Sequence, residues 1–229
     1  MPSPLSHIAH WVFDLDNTLY RADANFFAQI DLKMTQFISC YLSVDTAQAA
    51  QIRKEYWAEY GTTLSGLMAR HNMDPEEFLH DVHDVSLESL NPDPKLRSAL
   101  QKLSGQKLIY TNGSKAHARN VASHLKIFDL FDGSFGIEDA NYIPKPKAAP
   151  YDIFNRTFNV DPSRAIFFED NVHNLQVPKS QGMVTVLVTS DEDFSTAPKT
   201  VRPSANGASA DWVDYTTDDL PKWLSDYTA

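Results

Sequence analysis

Short apolar runs, each too brief to make a helix, alternate along this chain with stretches of helical periodicity. The runs are Ile8–Phe13, Lys107–Tyr110, Ala165–Phe168 and Val184–Val188, with another at Ser134–Ile137. Bulky and β-branched residues over so few positions suit buried strands. Strands alternating with helices build a parallel sheet covered on both faces, because each crossover lays a helix on the sheet. The pattern places the chain in the α/β class. In such sheets, ligands sit at the carboxyl ends of the strands. Asp14 and Asp16 follow the first run, Thr111-Asn112-Gly113-Ser114 the second, and Glu169-Asp170-Asn171 a later one. These polar clusters are expected to share one edge.

Between the first two runs the period changes. Phe26, Phe27, Ile30, Met34, Phe37, Ile38 and Tyr41 recur at the spacing of an amphipathic helix. A second helix is expected over Thr46–Tyr60, with Ile52, Tyr56, Trp57 and Tyr60 on its apolar side and Gly61 ending it. Asp74-Pro75-Glu76-Glu77 starts another, with Asp as N-cap and Pro at the first helical position. Residues 21–90 therefore read as wholly helical, and Asn91-Pro92-Asp93-Pro94 breaks them off. Further helices are expected at Lys115–Leu125 and Pro150–Phe158. From residue 190 onward the chain reads as polar loops closed by a helix around Leu220–Tyr227.

Asp14-Leu15-Asp16 sets two carboxylates on the same side of an extended segment, with Leu15 pointing into apolar packing. Like charges this close need a metal between them or a proton on one of them. Asp16, beside an ionised Asp14, is expected to hold a proton more easily than an isolated Asp. Asp-x-Asp-x-Thr also opens a calcium loop, but that loop needs Gly and Glu where this chain has Leu19 and Asn25. His80 and His83 lack a metal-binding pattern and read as a solvated helix face.

The 229 residues carry a formal net charge of −10. An acidic protein has no electrostatic reason to bind nucleic acid polymers or anionic membranes, so any phosphate it handles must be met by local positive features. Cys40 is the only cysteine, which excludes an intrachain disulfide and a cysteine-cluster metal site. No signal-like segment opens the chain and no apolar run reaches transmembrane length, so a cytoplasmic location is expected.

The chain resembles the haloacid dehalogenase superfamily of phosphohydrolases over roughly residues 8–190. Asp14-Leu15-Asp16-Asn17-Thr18, Thr111-Asn112-Gly113, Lys145-Pro146 and Glu169-Asp170-Asn171 match its four motifs in order. The resemblance implies a Rossmann-like core from residues 1–20 and 91–229, with residues 21–90 as an inserted all-helical cap. Arg21–Ala24 and Asn91–Pro94 would then be the crossings. Asp14-Leu15-Asp16-Asn17-Thr18-Leu19-Tyr20, Tyr60-Gly61-Thr62-Thr63-Leu64 with Gly66-Leu67, and His117-Ala118 resemble the pyrimidine 5′-nucleotidase-like branch.

The resemblance implies a role for each motif residue. Asp14 would be the nucleophile that forms an aspartyl-phosphate, and Asp16 the general acid and base. Mg²⁺ would be held by the Asp14 carboxylate, the Asp16 backbone carbonyl and the Asp170 carboxylate, with Glu169 and Asn171 close behind. Thr111, Asn112 and Gly113 would meet the phosphoryl oxygens. Lys145 would offset the negative charge, with Lys147 a competing candidate. Tyr60, Thr62 and Thr63 could reach the substrate from the cap or could simply form a glycine-terminated helix end. His117 could approach the phosphate or be a plain helix residue. Phe26, Phe37, Tyr56 and Trp57 read as cap core.

The implied activity is Mg²⁺-dependent hydrolysis of a small phosphorylated metabolite, foremost a pyrimidine nucleoside 5′-monophosphate, by a monomer or homodimer. A sugar-phosphate or phosphoglycolate phosphatase is the alternative within enzymes. A catalytically silent binding or regulatory module on the same scaffold is the alternative outside them.

Overall fold

The computed structural model describes residues 5–21, 24–192 and 203–228. Its sheet contains β1 (His10–Phe13), β2 (Gln106–Tyr110), β3 (Gly133–Phe135), β4 (Ala165–Glu169), β5 (Val184–Val188) and β6 (Tyr215–Thr217). These strands are parallel throughout and lie in the order β3-β2-β1-β4-β5-β6. The helices before β2 are α1 (Ala24–Leu42), α2 (Thr46–Tyr60), α3 (Thr63–His71), α4 (Pro75–Val82) and α5 (Pro94–Lys102). After it come α6 (Lys115–His124), α7 (Ala148–Phe158), α8 (Gln176–Ser180) and α9 (Leu220–Thr228). The α/β sheet with helices on both faces is the architecture expected from the alternating pattern.

Alternation along β1 assigns its residues to two cores. Trp11 and Phe13 face a layer that includes Leu100 of α5, Val121 of α6 and Leu224 of α9. Val12 faces the other layer, with Tyr151 and Phe154 of α7. Phe13 stacks on Phe168 of β4 with ring centroids 4.6 Å apart, which ties the central strands together through an offset aromatic pair. Helices α1–α4 enclose a third apolar cluster, built on Phe37, Ile38, Leu64, Leu67, Phe78 and Leu79.

Register brings the polar clusters level. Phe13 pairs with Ile109 on one side and Phe168 on the other. One residue further, the chain leaves β1 at Asp14, β2 passes Tyr110, and β4 ends at Glu169. All three exits lie at one edge of the sheet, beside its central strand.

The helix signals around the insert act as read. Gly61 closes α2 in the left-handed region at φ 87°, its N–H donating to the Trp57 carbonyl. Asp74 caps α4, with Pro75 at the first helical position. Three elements differ from the sequence reading. The same Asp-Pro signal at Asp93-Pro94 starts α5, which the reading had treated only as a break. Thr62 caps a separate helix, α3. Tyr215–Thr217, a polar and half-exposed segment, adds a sixth strand at the sheet edge, where one-sided burial removes the apolar signature. On α1, Tyr41 is exposed rather than inward, and the buried residue of α2 is Ala49 rather than its aromatics. Residues 22 and 23 of the first crossing and residues 193–202 of the tail lie outside the described residues. Among the described residues, no helix is long and apolar enough to cross a membrane.

Candidate active site

Asp14 leaves β1 with its backbone N–H still donating to the Phe168 carbonyl at 2.9 Å, so the neighbouring strand fixes its position. Its Oδ1 accepts from Lys145 Nζ at 2.7 Å. The same ammonium donates to Glu169 Oε2 at 2.7 Å and to the Tyr110 carbonyl at 3.0 Å. Lys145 is buried, while Lys147 is exposed and stands at the N-cap position before α7. Of the two lysines, it is Lys145 that meets the carboxylates. Burial alone would lower the Lys145 ammonium, but Asp14 and Glu169 more than offset this and hold it above its ordinary value.

Asp14, Glu169 and Asp170 are all buried, with one carboxylate oxygen from each within 4.8 Å of the others. Burial pushes the Asp14 carboxyl up from 3.8 to about 8, with Glu169 adding to the shift and Lys145 opposing it. Asp170 is pushed well up by burial and then by Glu169 and Asp14. Asn17 donates to Asp170 Oδ2 at 3.0 Å, while its own Oδ1 is buried without a partner. Ionising all three carboxyls against one ammonium would leave two net negative charges in a buried space, the cost that the upward shifts of Asp14 and Asp170 express. A divalent cation with a taste for oxygen ligands fits that imbalance and that donor set.

The second motif serves the first. Asn112 accepts from the Lys145 backbone N–H at 2.8 Å and donates to the Lys145 carbonyl at 3.3 Å, holding the lysine's loop against the sheet edge. Thr111 Oγ1 accepts from the Gly113 N–H at 2.9 Å, which orients the hydroxyl and leaves its own proton to donate. A Cβ at Gly113 would come within 3.1 Å of His117 and 3.3 Å of the Thr111 hydroxyl, so this position is crowded for any larger residue. Asn171 accepts from the His173 N–H and starts a short helical turn.

Asp16 departs from expectation. Burial would raise it, but the neighbouring His117 and hydrogen bonds from His117 and Tyr20 outweigh burial and hold it below the usual carboxylate range. Its Oδ1 accepts from the Tyr20 hydroxyl at 2.8 Å and from His117 Nε2 at 3.0 Å. Of the two carboxyls, it is Asp14 that is pushed toward protonation. His117 is therefore more than a plain helix residue, and Tyr20 joins the site without having been singled out. His83 is no solvated face either: its ring stacks on His117 at 4.3 Å, and burial together with His117 pushes it down to about 3. His80 is exposed.

The structure does not bring Thr62 and Thr63 into hydrogen-bond contact with the carboxylates. Thr62 caps α3 through Ser65, and the Thr63 hydroxyl donates to the Arg53 carbonyl. Tyr60 is half-buried and packs on Tyr56. Their turn does border the site's loop, since a Cβ on Gly61 would lie 3.7 Å from Pro144, next to Lys145.

A family model for the haloacid dehalogenase-like hydrolases matches residues 8–204, which include each of these motifs. The chain belongs to that family. One relative is Phosphate metabolism protein 8 of Saccharomyces cerevisiae, 29% identical over 204 residues. The match covers 82% of this chain but only 63% of that relative. Solved structures share the fold at lower identity. A HAD phosphatase from Thermococcus onnurineus superposes with a TM-score of 0.65 at 18% identity, over 95% of this chain and 97% of its own. The L-2-haloacid dehalogenase from Xanthobacter autotrophicus gives 0.57 at 16% identity, with the same coverage of 95% and 97%.

Proposed function

We propose that this hydrolase is a Mg²⁺-dependent phosphomonoesterase working through an aspartyl-phosphate on Asp14. The observation that carries the reading is the buried meeting of Asp14, Lys145, Glu169 and Asp170, in which the Asp14 carboxyl touches a fixed ammonium. The Asp14 carboxylate, the Asp16 backbone carbonyl and the Asp170 carboxylate would hold the metal, which when bound screens charge on the nucleophile and the phosphoryl group.

The chain's own residues then divide the work. Asp14 attacks phosphorus and the bond to the ester oxygen breaks. Asp16, ionised at rest, takes a proton from solvent as the substrate's phosphate dianion arrives beside it and gives that proton to the departing alkoxide. Water next attacks the aspartyl-phosphate and passes a proton to Asp16. Inorganic phosphate leaves and Asp14 returns to its starting form. Lys145 offsets negative charge at Asp14, and Thr111 donates its hydroxyl to a phosphoryl oxygen. A proton donor suits an alkoxide leaving group and has no task when the leaving group is halide, which favours esters over haloacids.

In this reading residues 21–90 form a helical cap inserted into a core of residues 1–20 and 91–229. The preferred substrate is a pyrimidine nucleoside 5′-monophosphate. That choice rests on the branch resemblance, two of whose residues, Tyr20 and His117, converge on Asp16. The name of the yeast relative is in keeping with phosphate chemistry. The test is inorganic phosphate release from a panel of nucleotides and sugar phosphates, with Mg²⁺ or with chelator. Release led by UMP or CMP supports the whole reading. Release led by sugar phosphates or phosphoglycolate keeps the chemistry and replaces the substrate. Release from nothing, by folded and Mg²⁺-loaded protein, supports the silent module instead.

A further inference from the structure

Two donors meet on one oxygen of Asp16. Tyr20 OH and His117 Nε2 both point to Oδ1, at 2.8 and 3.0 Å. With His117 in the tautomer that carries its proton on Nε2, both lone pairs of Oδ1 are engaged and it has no room for a proton. The proton-carrying oxygen is therefore Oδ2, which lies 3.8 Å from where a Cβ on Gly113 would stand, beside the Thr111-Asn112-Gly113 turn. The clamp on Oδ1 thus selects which oxygen exchanges protons and fixes where it points.

The His117 ring owes its own position to the helical segment. It stacks against His83, just beyond α4, at 4.3 Å and 21°. It also stacks against Phe26 of α1 at 6.3 Å and 18°. Ser114, the N-cap of α6, accepts from the His117 backbone N–H and hydrogen-bonds His83 Nδ1, both at 3.1 Å. His83 is thus keyed to α6 by a hydrogen bond and presses its ring on the ring that holds Asp16. Nothing in the chemistry assigned above uses it.

We propose that His83 is a positioning residue, supplied by the helical segment, that holds His117 against Asp16 so that proton transfer at Oδ2 is fully effective only with that segment seated. The inference rests on the phosphatase reading and deepens it. Among the described hydrogen bonds His83 reaches Ser114 but not Asp14, Thr111 or Gly113, so its loss should weaken acid catalysis selectively. Esters with a poor leaving group need the proton; aryl esters with an acidic leaving group need it far less.

The experiment compares Mg²⁺-loaded wild type, H83A, H83N and H83F on two esters. These are the best alkyl phosphate from the substrate panel and p-nitrophenyl phosphate. The readout is the ratio of the two kcat/KM values, which report the bond-breaking step before the aspartyl-phosphate that both esters share. Asparagine keeps a partner for Ser114 without a ring; phenylalanine keeps a ring without the partner. H83A and H83N are expected to lower the alkyl-to-aryl ratio by about tenfold or more, and H83F to restore most of it. Should H83A fail to fold, H83N against H83F gives the same comparison. A ratio unchanged in every variant, whether both rates fall together or neither does, overturns the proposal while leaving the phosphatase reading intact. A wild type that hydrolyses neither ester removes the reading, and the proposal with it.

Discussion

Lys145 and Asp14 stand 131 residues apart in the chain and 2.7 Å apart in the fold, both buried. The lysine is the only ammonium among the described ion pairs of the carboxylate cluster, so the cluster's folding depends on it. Removing one partner of a buried pair leaves uncompensated charge and costs about 3–5 kcal/mol. K145M is expected to lose stability of that order, together with turnover, in urea unfolding followed with chelator present. A loss under about 1 kcal/mol would contradict this role.

The metal prediction has a sign. The folded-state pKa of Asp14 lies above its ordinary value, about 8 against 3.8. Such a group contributes stability that is fully present below the unfolded value and is lost as pH rises through the folded one. Protein in chelator should therefore melt at a lower temperature near pH 8 than near pH 5. Saturating Mg²⁺, which competes with protons for the same carboxylates, should raise the melting temperature more at the higher pH. Equal gains at both would count against a metal at these carboxylates.

The sheet edge and its acid cluster were legible because both follow from local pattern and one topological rule. Short apolar runs gave the strands, and parallel pairing then brought Asp14, Thr111 and Glu169 to one edge. Lys145 could not be told from Lys147 in sequence, since only the fold's closing of the loop buries one and exposes the other. The direction of the Asp16 shift is not legible in sequence, because the Asp14-Asp16 spacing is visible there while the donors Tyr20 and His117 are assembled in space. His83 was taken as solvated for the same reason: its partner lies across the boundary between helical segment and sheet. Strand β6 was missed because an edge strand of Tyr and Thr carries no apolar run.

Asn112 gives a milder prediction. Its side chain makes both of its assigned hydrogen bonds to the Lys145 backbone, and a typical net hydrogen bond contributes about 1 kcal/mol. N112A is expected to cost about 1–2 kcal/mol and to lower kcat more than it raises KM, as the lysine drifts from Asp14. A pure KM effect in steady-state kinetics would assign Asn112 to substrate binding instead.

Asp16 carries the acid step. D16N keeps the shape of the residue but cannot deliver a proton, so kcat on an alkyl phosphate should fall by about 10²–10⁴. Aryl phosphate hydrolysis should fall far less at the first, bond-breaking step, seen as a retained burst of the phenol. Equal loss of the burst and of alkyl turnover would mean that Asp16 acts by structure alone.

In the proposed mechanism phosphoryl transfer passes through Asp14. Protein mixed with its best phosphate ester and Mg²⁺, quenched in acid within a turnover, should be digested and weighed by mass spectrometry. One added phosphoryl group is expected on the peptide that contains Asp14, absent from D14N treated in the same way. Steady phosphate release with that peptide unmodified at every quench time, or unchanged release by D14N, would contradict it.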